Sequence, residues 1–173
     1  RVYFSLDAAG LGARASVLDG GMPAWKAAGG VVTDEIKARP PGKITAKGRP
    51  ELVLALEDVR AGLAGSTIDV IDARLPEYFD GTSPGSMPRA GHIPGARNIP
   101  FSSLATADLR MKPEAEVAEI FKAAGVKQGD TVVSYCHIGQ QATMVYFAAR
   151  RLGLPAKVYD GSWDEWSRKE ELP

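Results

Sequence analysis

Strands alternating with helices predict an α/β fold built on a mainly parallel sheet. Apolar, β-branched runs such as Ile68-Asp69-Val70-Ile71-Asp72 and Thr131-Val132-Val133 read as buried strands. Segments with apolar residues at helical spacing follow them, notably residues 113–124 and 142–152. Polar turns, several of them Gly-rich, separate the two kinds. Two of these turns follow strand ends, the edge of such a sheet where ligand crevices lie.

In chain order, Leu52-Val53-Leu54 is a short strand candidate. Glu57–Leu63 is a helix whose first turn carries Glu57 and Asp58, acids that suit the positive end of its dipole. Residues 68–72 form the next strand and lead into Asp72-Ala73-Arg74. LPEYF, residues 75–79, suits a short helix, and a polar loop runs from Asp80 to Pro88. GHIPGARNIPF, residues 91–101, reads as turn, Pro, turn and brief strand. Val117, Ile120, Phe121 and Ala124 share one face of the helix over 113–124, with Pro113 in its first turn and Gly125 at its end. Strand 131–135, helix 142–152, strand 156–159 and helix 162–169 complete the order.

Composition narrows the partners. Lys plus Arg and Asp plus Glu are both 21 in 173 residues, so there is no global field to hold nucleic acid or an anionic membrane. A small or neutral partner fits better. No apolar run reaches the roughly 18 residues of a membrane span. The single cysteine rules out an internal disulfide or a multi-cysteine metal site, leaving an inert buried thiol or a reactive one. The compartment, cytoplasm or periplasm, stays open.

An internal repeat organises the chain. LGARASVLDGGMPAW at 11–25 and LGLPAKVYDGSWDEW at 152–166 match without a gap, from Leu11 with Leu152 to Trp25 with Trp166, at a constant offset of 141. The same offset places Arg1 on Ala142, just past the loop that holds the cysteine. Residues 1–36 therefore read as the end of a first unit, comprising a helix, a short strand and a Trp-bearing turn. Residues 37–50, rich in Pro, Gly and Lys, read as a connector, and residues 51–173 as a complete second unit. The body of the first unit is expected as a separate chain or as a piece removed by cleavage.

The cysteine lies in SYCHIGQQAT, residues 134–143, where a strand gives way to a helix. Backbone N–H groups before a helix lack internal partners and, with the helix dipole, stabilise an anion. A thiolate held there is a competent nucleophile at neutral pH. A buried cysteine acting as a small hydrophobe is the plain alternative. Against it stand His137, Gly139, Gln140 and Gln141, polar or permissive residues that suit a cradle better than a core. A phosphate cradle would close on an arginine able to fork the phosphate, but Ala142 occupies that place.

Four segments together resemble the rhodanese sulfurtransferases of the tandem two-domain type: IDARLPEYFDG at 71–81, GHIPGARNIPF at 91–101, VVSYCHIGQQAT at 132–143 and VYDGSWDEW at 158–166. VLDGGMPAW at 17–25 is similar to the ending of a first rhodanese domain. The resemblance implies an α/β rhodanese fold and a sulfur shuttle. Cys136 would take a sulfane sulfur from a donor such as thiosulfate and hold it as a persulfide among the amides of His137, Ile138, Gly139, Gln140 and Gln141. It would then deliver the sulfur to cyanide or a thiol, with no metal or organic cofactor. A persulfide carrier served by a partner protein, or an enzyme using 3-mercaptopyruvate, are the alternatives.

The sequence departs from the resemblance at the donor site. Glu77 precedes Tyr78 where the family often has an arginine, and CHIGQQ contains no lysine or arginine. Arg74, Arg89 and Glu77 are thus the candidates for meeting the donor, with His137 assisting if protonated. Asp72 and Arg74 suit a scaffold pair better than direct catalysis. His92 suits a turn, Arg89 a solvated loop charge, and Trp163 a supporting wall at the pocket rim.

Overall fold

The computed structural model describes residues 1–173. Its sheet contains β1 (Val53–Leu54), β2 (Asp69–Asp72), β3 (Arg97–Asn98), β4 (Val132–Tyr135) and β5 (Ala156–Tyr159). All neighbours are parallel, in the order β1-β5-β4-β2-β3. β4 is central and buried along its whole length, as a strand covered on both faces must be. Side chains alternate between two apolar layers: Ile71 and Val132 enter one, while Val70, Val133 and Tyr135 enter the other.

Register positions the site. Asp72 pairs with Tyr135, so β2 and β4 end at the same level. The chain leaving β2 through Ala73 and Arg74 therefore runs beside Cys136, and the Ala73 N–H donates to the Tyr135 carbonyl at 2.8 Å.

The helices of the second unit are α3 (Leu56–Ala64), α4 (Pro76–Phe79), α5 (Glu114–Ala123), α6 (Ala142–Arg151) and α7 (Ser162–Ser167). The differences from the sequence reading lie at element ends. Leu52 falls in a 3-10 turn, Pro50–Leu52, because Pro50 starts a tight turn there rather than a strand. Pro113 caps α5 from outside with extended backbone, and α7 stops at Ser167.

At the N-terminus, α1 (Val2–Ala8) packs against α6. Phe4 is 4% exposed and meets Tyr146 edge to face at 4.9 Å, and Tyr3 meets Phe147 in the same way. Buried Asp7 accepts the Tyr146 hydroxyl at 2.6 Å and the Arg49 guanidinium at 2.8 Å. Burial, and then the bond to Asp7, push the Tyr146 phenol well above its usual range. α1 is thus built into the core of the second unit. The strand expected near Val17 does not form, since no strand in the chain lies beside it to supply a ladder. Trp25 sits in α2 (Gly21–Ala27) rather than in a turn, and Val17, Leu18, Met22 and Trp25 are exposed. Residues 37–48 are exposed and contain no helix or strand.

Phe4→Ala is expected to lower unfolding stability by about 3–5 kcal/mol, the usual cost of removing a buried aromatic ring. Urea denaturation monitored by tryptophan fluorescence measures it. A loss below about 0.5 kcal/mol, the scale of a surface substitution, would mean that α1 is not part of the cooperative unit.

Candidate active site

Cys136 follows β4 directly and is 1% exposed. It lines a pocket of about 330 Å³ together with Phe101, His137, Ile138, Gln140 and Gln141. The loop from Cys136 to α6 owes its shape to the bonds its carbonyls make. The Cys136 and His137 carbonyls accept the N–H groups of Trp163 and Asp164 in the first turn of α7, at 2.9 and 3.0 Å. Gly139 O accepts Arg1 Nη1 at 2.8 Å. Gln140 O accepts Thr143 Oγ1 at 2.8 Å, and Gln141 O accepts the Met144 N–H at 2.9 Å.

In a trans peptide the N–H points away from the C=O. Fixing these carbonyls outward therefore turns the following N–H groups inward. The backbone N–H groups from His137 to Ala142 donate to no protein acceptor. Such a run of unclaimed donors beside a buried thiol and at the start of a ten-residue helix can hold an anion.

Two residues are bound to this geometry by their backbones. Gly139 has φ +74°, and a Cβ there would lie 2.8 Å from Asp160 Oδ1 and 3.0 Å from Arg1 Nη1, so conformation and space both require glycine. Ser162 is fully buried with φ +55°, unusual for a residue with a side chain. Its Oγ donates to Tyr159 O at 2.9 Å and accepts the Cys136 N–H at 3.3 Å. Backbone strain of this kind persists only where the surroundings enforce it.

Behind the loop, Asp72 and Arg74 are both buried and form a two-point ion pair, with Nη2 to Oδ2 at 2.6 Å and Nε to Oδ1 at 3.0 Å. Nη2 also donates to Gly91 O at 2.7 Å, and the guanidinium lies under the Trp163 ring at 4.9 Å. Burial pulls the Arg74 basicity down, and the bond to Asp72 more than restores it. Arg89 is not the solvated loop charge expected. It donates to the carbonyls of Ser167, Leu172, Trp166 and Lys169, gathering the end of α7 and the chain beyond it. Its own carbonyl accepts Trp163 Nε1 at 3.0 Å.

These observations agree with the comparisons to known proteins. A model of the rhodanese-like domain matches residues 55–169. The chain belongs to the rhodanese family. It is 34% identical over 176 residues to a Mycobacterium tuberculosis protein named "Putative thiosulfate sulfurtransferase SseB", covering all of this chain and 61% of that one. It is 32% identical over 163 residues to the 3-mercaptopyruvate sulfurtransferase of Escherichia coli, covering 92% of this chain and 58% of the relative. The chain thus spans about three fifths of the length of these relatives. The anaerobic ergothioneine biosynthesis enzyme from Chlorobium limicola superposes with a TM-score of 0.88 at 24% identity, covering all of this chain and 44% of that one, a likeness of fold.

In this rhodanese the sequence candidates divide by position. Cys136, His137, Ile138, Gln140 and Gln141 line one pocket, and Gly139 is not among the lining residues. Neither Arg74 nor Arg89 is among the residues lining the pocket, and Glu77 lies exposed on α4 outside that lining. His137 is not a ready cation: burial, and then the nearby Arg74 charge, lower its imidazole below the ordinary value. Its Nδ1 is buried without a partner. Three residues that sequence reasoning did not single out complete the site. Phe101 lines the pocket, Tyr78 packs edge-on against the His137 ring at 4.7 Å, and Ser162 holds the Cys136 amide. Phe101 and Ser162 stand inside quoted motifs, but nothing in their spacing says that they reach the loop. His92 is a turn residue, its Nδ1 2.7 Å from Phe79 O.

Ser162→Gly separates strain from function. It relieves the positive φ while leaving the Cys136 N–H without an acceptor, so the melting temperature should move by no more than a few degrees while iodoacetamide alkylation of Cys136 at pH 7 slows severalfold. Unchanged alkylation would show that Ser162 does not hold the loop. A second prediction follows from the lowered His137 basicity. Protonation favours the unfolded state, so His137 contributes stability that is intact above about pH 6.5 and is lost as pH falls through its folded value. His137→Gln should therefore lose less stability than the wild type between pH 7 and pH 5 in parallel urea titrations.

Proposed function

We propose that this chain is a sulfurtransferase working through a persulfide on Cys136. The observation that carries the reading is the run of unclaimed backbone donors from His137 to Ala142 beside the only thiol of the chain. The Cys136 thiolate attacks the outer sulfur of a sulfane-sulfur donor such as thiosulfate. A bond forms from Cys136 Sγ to that sulfur as the donor's own sulfur–sulfur bond breaks, and sulfite leaves with the electron pair. The outer sulfur keeps a negative charge that the loop amides stabilise. A nucleophilic acceptor, cyanide or a thiolate, then attacks it, and the Cys136 thiolate is regenerated. No net oxidant enters, and each step exchanges one S–S or C–S bond for another.

Other residues supply shape rather than chemistry. The Asp72–Arg74 pair holds the strand ends, α7 holds the loop carbonyls, and neutral His137 and Phe101 keep the pocket wall free of charge. Residues 51–173, with α1 packed into their core, then act as the catalytic unit, and the remainder of residues 1–36 as the end of a preceding one. Exposed apolar Val17, Leu18, Met22 and Trp25, with the greater length of the relatives, support that division.

Brief incubation with thiosulfate should raise the intact mass by one sulfur atom, and cyanide should remove it. Cys136→Ser should retain the circular-dichroism spectrum and melting temperature but gain no sulfur. Sulfur transfer by that variant would end the proposal.

A further inference from the structure

The carbonyls of the Cys136 loop are not all held by the same means. Those of Cys136, His137, Gln140 and Gln141 each accept a backbone N–H, from Trp163, Asp164, Thr143 and Met144 in turn. These four are locked into the starts of α7 and α6 and cannot turn without opening a helix end. The Gly139 carbonyl accepts no backbone donor. Its partner is the Arg1 guanidinium, with Nη1 at 2.8 Å.

That peptide is also the one whose backbone is freest to turn. Rotating the Gly139–Gln140 peptide changes ψ of Gly139 and φ of Gln140, and glycine, without a Cβ, tolerates ψ values closed to other residues. The rotation takes the Gln140 N–H out of the cradle and puts the Gly139 oxygen in its place. For a persulfide anion it replaces attraction with repulsion.

Arg1 is placed to prevent this. It stands at the start of α1, which packs against α6 through Phe4 and Tyr146, and its guanidinium lies 5.8 Å from the centre of the Phe4 ring. The nitrogen that meets Gly139 also pairs with Asp160 Oδ1 at 2.7 Å, so the turn after β5 anchors the guanidinium. A Cβ at Gly139 would lie 3.0 Å from that nitrogen and 2.8 Å from the Asp160 oxygen, which sets the clasp directly against the glycine. The Arg1 and Asp160 side chains are 40% and 46% exposed, so the fold owes the pair little.

Resting on the sulfurtransferase reading above, we infer that Arg1 is a positioning residue for sulfur transfer: it holds the Gly139 carbonyl outward and so keeps the Gln140 N–H directed at the persulfide. It touches no reacting atom. Arg1 acts through the peptide, and Asp160 acts through Arg1.

The test follows sulfur loading of Cys136 from thiosulfate by intact mass under single-turnover conditions. Arg1→Ala should slow loading by about tenfold, less than the loss of about a hundredfold or more on deleting an oxyanion-hole donor, because the amide stays and is only freed to turn. Arg1→Lys, which keeps a donor and a charge, should recover most of the rate. The melting temperature of both variants should stay within about 3 °C of the wild type. Amide NMR of isotope-labelled protein adds a signature that a purely structural role would not move. Loading the wild type should shift the Gln140 amide proton downfield, as a bond to an anion does, and Arg1→Ala should abolish most of that shift.

A double variant separates the carbonyl hold from charge. Arg1→Ala leaves the Asp160 carboxylate unpaired beside the loop, and adding Asp160→Asn removes that charge without restoring the hold, so loading should stay slow. Recovery to the wild-type rate would assign Arg1 to charge cancellation and overturn the inference, as would a wild-type rate or an unchanged Gln140 shift in Arg1→Ala. Failure of the wild type to gain sulfur on Cys136 overturns the underlying reading instead.

Discussion

The outward hold on the loop carbonyls is the constraint from which the site follows. A loop of six amides that bond to nothing in the protein would normally collapse into a turn or be solvated, because free N–H groups seek partners. Here the choice is removed from the other side of five of the six peptides. With the carbonyls of Cys136 and His137 tied to α7 and those of Gly139, Gln140 and Gln141 tied to Arg1, Thr143 and Met144, the amides have only one direction left. Arg1, on the Gly139 carbonyl, is the one positive side chain that shapes the loop, and the donors it leaves unclaimed are backbone amides.

That economy explains the placement of charge around the loop. Arg74 beside Asp72 and Arg89 among the carbonyls after α7 are both structural cations, and each is tied to Trp163, one by stacking and one through its own carbonyl. Trp163 in turn gives its backbone N–H to Cys136. The buried pair, the indole and the loop therefore form one connected body. A buried ion pair is poor evidence for stability, but removing one partner leaves an uncompensated charge and is strongly destabilising. Such a body resists partial change.

Much of this was legible in the sequence. The parallel sheet, the strand-to-helix position of Cys136 and the pairing of Asp72 with Arg74 follow from β-branched runs, helical spacing and an acid-base pair at a strand end, whereas the complete burial of that pair does not. Arg89 was not, because its partners are backbone carbonyls 77 or more positions away, which leave no side-chain signature. Ser162 read only as the first residue of the last helix, since a positive φ cannot be read from residue type when the residue is not glycine. The failed strand near Val17 shows the opposite error: its pattern matches β5, but a strand exists only where a neighbour completes its ladder.

The contacts that shape the loop are also far apart along the chain. Ser162 lies 26 positions after Cys136, and Arg1 lies 138 before Gly139. No contiguous segment around the cysteine contains what it needs, and closures of this length carry an entropic cost that the folded contacts offset. A chain in which either contact is open therefore lacks part of what shapes the loop around Cys136. Reactivity at that one sulfur is in effect a report that the whole chain has closed.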